Sequence, residues 1–224
     1  MIKLTLKGLA RYIASSPSAQ RKILQNHKYP AADEPFAMRM YYREATDCLK
    51  TYIRDGQTGE WLRQRALELT APRPDQSGPS ASRLRHNAEA VLHFGKHFDG
   101  KDIEVLDCPR FRLEFSGVSI GVVPDLCLRD HSRIKLFKLQ FGGKALPEQS
   151  VRVITQCLLA AANAQGHALP FSSAVYVDLP RSLSYTAPRS SKKTMQDIKA
   201  ACETIALIWD SITPPAKSKR SAAA

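Results

Sequence analysis

Residues 117–143 read GVSIGVVPDLCLRDHSRIKLFKLQFGG, two β-strand signatures with Pro124-Asp125 at one end and Lys138 thirteen residues further on. The run Val118-Ser119-Ile120-Gly121-Val122-Val123 is β-branched and ends at a Pro-Asp step, where the residue before proline is held extended. A carboxylate at such a strand end can hold a divalent cation. In the second run, Arg133 to Phe141, side chains alternate, so Ile134, Leu136 and Lys138 share one face and Lys135, Phe137 and Leu139 the other. Leu136 therefore stands beside Lys138.

Outward from this stretch the pattern changes period. Ile103–Leu106 and Phe111–Phe115 read as strands, and Ser116-Gly117 is a two-residue hairpin signal leading into a strand expected to run from Val118 to Leu128. Before them, helical spacing recurs. Thr5 is a candidate N-cap for a short helix within residues 3–14, Ala19–His27 follows, Pro35–Arg54 is amphipathic, a further helical piece covers Thr58–Leu69, and Ser82–Phe98 closes the series. Residues 71–80 are rich in turn formers and read as an exposed loop.

After Gly142-Gly143, residues 147–166 repeat Val151, Ile154, Leu158 and Ala161 at helical intervals, with Gly166 as the stop. Ala174–Leu179 is a short apolar strand and Thr194–Ile212 a final amphipathic helix. Helices, antiparallel strands, helix, strand, helix is an α+β order with a mixed central sheet flanked by helices. The division expected is an N-terminal helical region and loop over 1–80, a core over 81–213 and a basic tail over 214–224.

The chain has 224 residues, 43% of them hydrophobic, enough for one well-buried domain. No run of eighteen apolar residues exists and the N-terminus lacks a signal-peptide pattern, which predicts a cytoplasmic protein without a membrane partner. Five dispersed cysteines include no Cys-x-x-Cys pair, so reduced thiols are expected and a disulfide framework is not. Lys and Arg outnumber Asp and Glu by 33 to 21, for a net charge of +12, which favours a polyanionic partner. Lys135, Lys138, Lys144 and Arg152, near the carboxylate, are the candidate phosphate contacts.

Three features, Gly121-x-x-Pro124-Asp125-Leu126, the strand Ile134 to Lys138, and Gln156 on the helix that follows, resemble the PD-(D/E)XK nuclease superfamily, most nearly its RecB-like exonuclease branch. The resemblance spans residues 84–210 and implies a restriction-endonuclease-like core. By this likeness Asp125 is a ligand for Mg²⁺ or Mn²⁺, Lys138 the catalytic lysine and Gln156 the helical glutamine. Two positions depart from the pattern: the acid expected two residues before the lysine is Leu136, and the tyrosine frequent four residues after the glutamine is Ala160. The related branch that serves CRISPR adaptation carries four clustered cysteines for an iron-sulfur cluster; these are absent, and no cluster is expected.

Mg²⁺ demands oxygen ligands and relies on one or two carboxylates plus substrate phosphate, so losing one acid to leucine argues against ordinary nuclease chemistry. Glu114 on the preceding strand and Glu89 on the preceding helix are the candidates for a relocated acid, with Gln140 offering only a neutral oxygen. His86, His93 and His97 are the histidines within reach of the same role. Three functions remain open at this stage. They are nucleic-acid binding, most readily DNA, on a degenerate nuclease fold; Mg²⁺-dependent DNA cleavage in repair, restriction or phage defence; and an adaptor that docks onto a larger protein complex through the helices of residues 36–69. An acid restored at position 136 is expected to raise cleavage.

Overall fold

A computed structural model describes residues 1–30, 41–72, 77–98, 103–189 and 192–215. Among them are eight strands and seven α-helices. In chain order these are β1 (Ile2–Thr5), α1 (Leu6–Ile13), α2 (Pro17–Lys28), α3 (Arg43–Arg54), α4 (Gly59–Thr70), α5 (Gly78–Phe98), β2 (Ile103–Leu106), β3 (Phe111–Phe115), β4 (Val118–Val122), β5 (Leu126–Asp130), β6 (Arg133–Gln140), α6 (Glu148–Ala164), β7 (Ala174–Asp178), β8 (Leu183–Thr186) and α7 (Lys192–Ile208). The first part of the helix expected from Pro35, part of the 71–80 loop and most of the basic tail lie outside the described residues.

The strands form two mixed sheets, ordered β1-β4-β3 and β2-β5-β6-β7-β8. The expected single strand from Val118 to Leu128 is in fact two. Val118–Val122 pairs with β3 in the smaller sheet, while Leu126–Asp130 pairs with β2 and β6 in the larger one. The break has a covalent cause: Pro124 has no N–H to give to a ladder, so the chain leaves one sheet at Val123 and enters the other at Asp125. The N-terminal region, read as helical, also supplies β1, which pairs in parallel with β4 through Ile2↔Val118 and Leu4↔Ile120. Thr5 then caps α1 as its sequence predicts, accepting the Gly8 N–H at 3.0 Å.

The larger sheet divides the interior into two apolar layers. On one face Leu126, Leu128, Phe137, Leu139, Val175 and Val177 pack with α3, α4 and α5 through Leu49, Leu62, Val91 and Phe94. On the other, Cys127, Leu136, Ala174 and Tyr176 meet Ile154 and Leu158 of α6, Leu9 of α1 and Ile120 of β4. Helix α6 is thus apolar on nearly every side, as a helix enclosed by other layers must be. No helix among the described residues is long and apolar enough to cross a membrane.

A charged cluster at the junction of the two sheets

Asp125 sits at the sheet change, one residue before β5. Its backbone N–H donates to the Phe137 carbonyl at 2.8 Å, and Leu126 pairs with Phe137, so the register carried one residue back sets Asp125 opposite Lys138. The two side chains meet: Lys138 Nζ donates to Asp125 Oδ1 at 2.8 Å. Lys138 also donates to the Val123 carbonyl at 3.0 Å, and the Leu139 N–H donates to Asp125 Oδ2 at 2.8 Å. Both carboxylate oxygens therefore hold protein donors, in a pair whose side chains keep only 25% (Asp125) and 14% (Lys138) of their exposure.

A third charged group completes the cluster. Lys7, on the first turn of α1, reaches 132 residues along the chain to donate to the Leu139 carbonyl at 3.2 Å and to Gln140 Oε1 at 3.4 Å. Burial holds its amine down at about 8, with Lys138 and Arg11 pushing the same way and Asp125 opposing them. A lysine whose folded value lies below its unfolded value of 10.5 loses its proton first in the native state. The unfolded chain then binds more protons across the window from about 8 to 10.5, so this group makes stability rise with pH there, and its penalty is full below that window. Urea midpoints measured across the window should show that rise in the wild type and lose it in Lys7→Met.

Lys138 stands beside Asp125, and the position two residues before it holds a buried leucine. Leu136 pairs with Cys127, a same-face step deeper than the Asp125–Lys138 pair, and is 2% exposed among Ile154, Leu158 and Ile120. The position directly facing Asp125 is held by Lys138 itself. Gln140 follows one same-face step beyond, donating to the Gly142 carbonyl.

The other predicted residues are dispersed. Lys135 lies on the opposite face of β6, paired with Asp130. Arg152 is exposed on α6 and paired with Glu148, and Lys144 is exposed in the turn after β6. Gln156 is buried on α6 with its Oε1 lacking a hydrogen-bond partner. Glu114 stands on β3 of the smaller sheet, exposed and 4.0 Å from Arg112, and Glu89 is exposed on α5. His86 Nδ1 is 2.6 Å from the Tyr41 hydroxyl, and His97 packs edge-on against Phe98.

Two charged residues near the pair escaped the sequence reading. Lys7 is one, since its role depends on a contact with no local signal beyond a lysine set among Leu4, Leu6 and Leu9. Asp178 is the other: it ends β7 opposite Gln140, is 4% exposed, and accepts from Arg181 Nη1 at 3.0 and 2.9 Å. Arg181 Nη2 in turn donates to the Gly143 carbonyl at 3.1 Å, tying β7 to the turn after β6. An apolar strand ending in Asp before Leu-Pro is the signal that could have marked it.

These donors do not suit a divalent cation. One carboxylate with both oxygens occupied, flanked by two ammonium groups, offers neither the charge nor the free oxygens that Mg²⁺ or Mn²⁺ requires. Among the described residues no group of three or more His, Cys, Asp and Glu side chains could hold a metal ion. No family model matches the chain, and no curated protein matches it either.

Proposed function

We propose that this protein binds nucleic acid, most readily DNA, on a restriction-endonuclease-like core whose nuclease site is degenerate. One observation carries the reading: both oxygens of Asp125 are bonded to protein donors and the position of the second acid is the buried Leu136, so the set of oxygens a metal would need is missing. The contact between Asp125 and Lys138 supports this reading. The net charge of +12 gives the molecule a field that gathers polyanions.

Without a bound dication there is no activated water and no counter-charge for the leaving oxygen, and the cluster retains only the capacity to grip. Binding of single- and double-stranded DNA should then persist in EDTA, weaken steeply with salt, and proceed without cleavage in Mn²⁺. Mobility shift and cleavage of end-labelled strands, read in parallel, test this. Mn²⁺-dependent cutting that disappears in Asp125→Ala would instead establish an active nuclease, and a stable protein complex with no DNA shift at low salt would favour an adaptor.

A further inference from the structure

Each ammonium in the cluster has three N–H donors, and each directs two of them inward. Lys7 gives two to Leu139 O and Gln140 Oε1, and Lys138 gives two to Val123 O and Asp125 Oδ1. One donor on each nitrogen is left without a partner among the described residues. Asp125, paired with Lys138 and acting on Lys7 through its charge, offsets the repulsion of the two ammonium groups, and the three groups sum to +1, a balance that attracts an anion and repels a free dication.

We propose that Lys7 and Lys138 form a metal-independent site for one phosphodiester group of a nucleic-acid backbone, with Asp125 holding the two ammonium groups in place. The inference rests on the nucleic-acid reading and deepens it by naming the residue that sequence reasoning passed over. A phosphodiester fits because its two non-bridging oxygens share one negative charge and can each accept from one donor. Asp125 cannot leave to make room, being bonded to Lys138 and to the Leu139 N–H.

Proton uptake is the signature of such a site. The groups that act on Lys7 are Asp125 at the sheet change, Lys138 on β6 and Arg11 on its own helix; from α2, His27 Nε2 lies 3.3 Å from Thr5 Oγ1 at the start of α1. Held down by burial, Lys7 loses its proton at about 8, against an ordinary value of 10.5. A docked phosphate needs the charged form, so binding above about pH 8 takes up a proton at Lys7.

The test is fluorescence anisotropy of a labelled DNA duplex and its single strand, in EDTA at constant ionic strength, with inorganic phosphate as competitor. From about pH 7 to about pH 9 wild-type affinity should fall about tenfold, because the ammonium fraction of a group titrating at about 8 drops tenfold per unit beyond it. Lys7→Met should be weaker at pH 7 and insensitive to pH, with a salt dependence reduced by about one counterion. Lys7→Arg should bind well and show no pH dependence, which separates charge from folding. If the wild type binds DNA and Lys7→Met follows the same pH and salt curves, the site is refuted while the nucleic-acid reading stands. Failure of the wild type to bind either DNA at low salt removes both. Displacement of DNA by inorganic phosphate at constant ionic strength would overturn the assignment to the backbone in favour of a free-phosphate site.

Discussion

Leu136→Asp should lower the free energy of unfolding by about 4 kcal/mol or more and produce no cleavage in Mg²⁺ or Mn²⁺. Introducing an unpaired carboxylate into an apolar interior is among the few single changes with effects this large. Leu136 is 2% exposed, pairs with Cys127 and belongs to the apolar cluster that includes Ile154 and Leu158 of α6, so a carboxylate there enters an apolar layer beside a small cavity that Asp107 and His167 also line. Sequence spacing alone leads to the opposite expectation, that an acid at 136 restores activity. Burial sets the outcome expected here. Position 136 is diagonal to Asp125 and lies one same-face step from Lys138, inside the apolar layer. Urea denaturation of the purified variant measures the loss, and cleavage assays on its folded fraction measure the rest.

Lys138→Glu combined with Lys7→Gln should convert the cluster into a cation site. Two carboxylates would then face each other across β5 and β6, and the ammonium that competes with a metal would be gone. Without metal the like charges repel and stability falls. Mn²⁺ at about a hundredfold excess over its dissociation constant should return about 2.7 kcal/mol, a rise of about 5–10 °C in the thermal midpoint for a chain of this size. The wild type should show no such Mn²⁺-dependent shift. An equal shift in both proteins would place the metal elsewhere.

Much of the core was legible because its signals are local. The Ser116-Gly117 turn has both residues at positive φ, 49° and 76°, as the two-residue hairpin rule requires. Apolar repeats within residues 147–166 gave α6, and the alternation in 133–141 assigned Lys138 and Lys135 to opposite faces of β6. The neighbours Asp125 and Lys138 followed from a turn and a strand that each announce themselves.

What was missed depends on distant partners. β1 and β8 are four residues each, too short for a period to emerge; β1 is a strand because β4 offers a parallel edge, and β8 is exposed at every position, so it has no apolar alternation. The sheet change at Pro124 was hidden by two adjoining β-rich runs that read as one. The bond from the Asp125 N–H to Phe137 O, between residues twelve apart, is what holds the two neighbours in register. Lys7 enters the cluster across 132 residues, where only the packing of α1 against the rest of the fold could bring it.

Paramagnetic broadening of the backbone amides by Mn²⁺ bears most directly on the claim that Asp125, held by Lys138 and the Leu139 N–H, binds no cation. The Leu139 N–H, hydrogen-bonded to Asp125 Oδ2, is the reporter closest to that carboxylate. In the wild type its resonance should persist at Mn²⁺ levels that broaden it in the Lys138→Glu, Lys7→Gln variant. Selective loss of the Leu139 signal in the unaltered protein, centred on Asp125, would contradict the account.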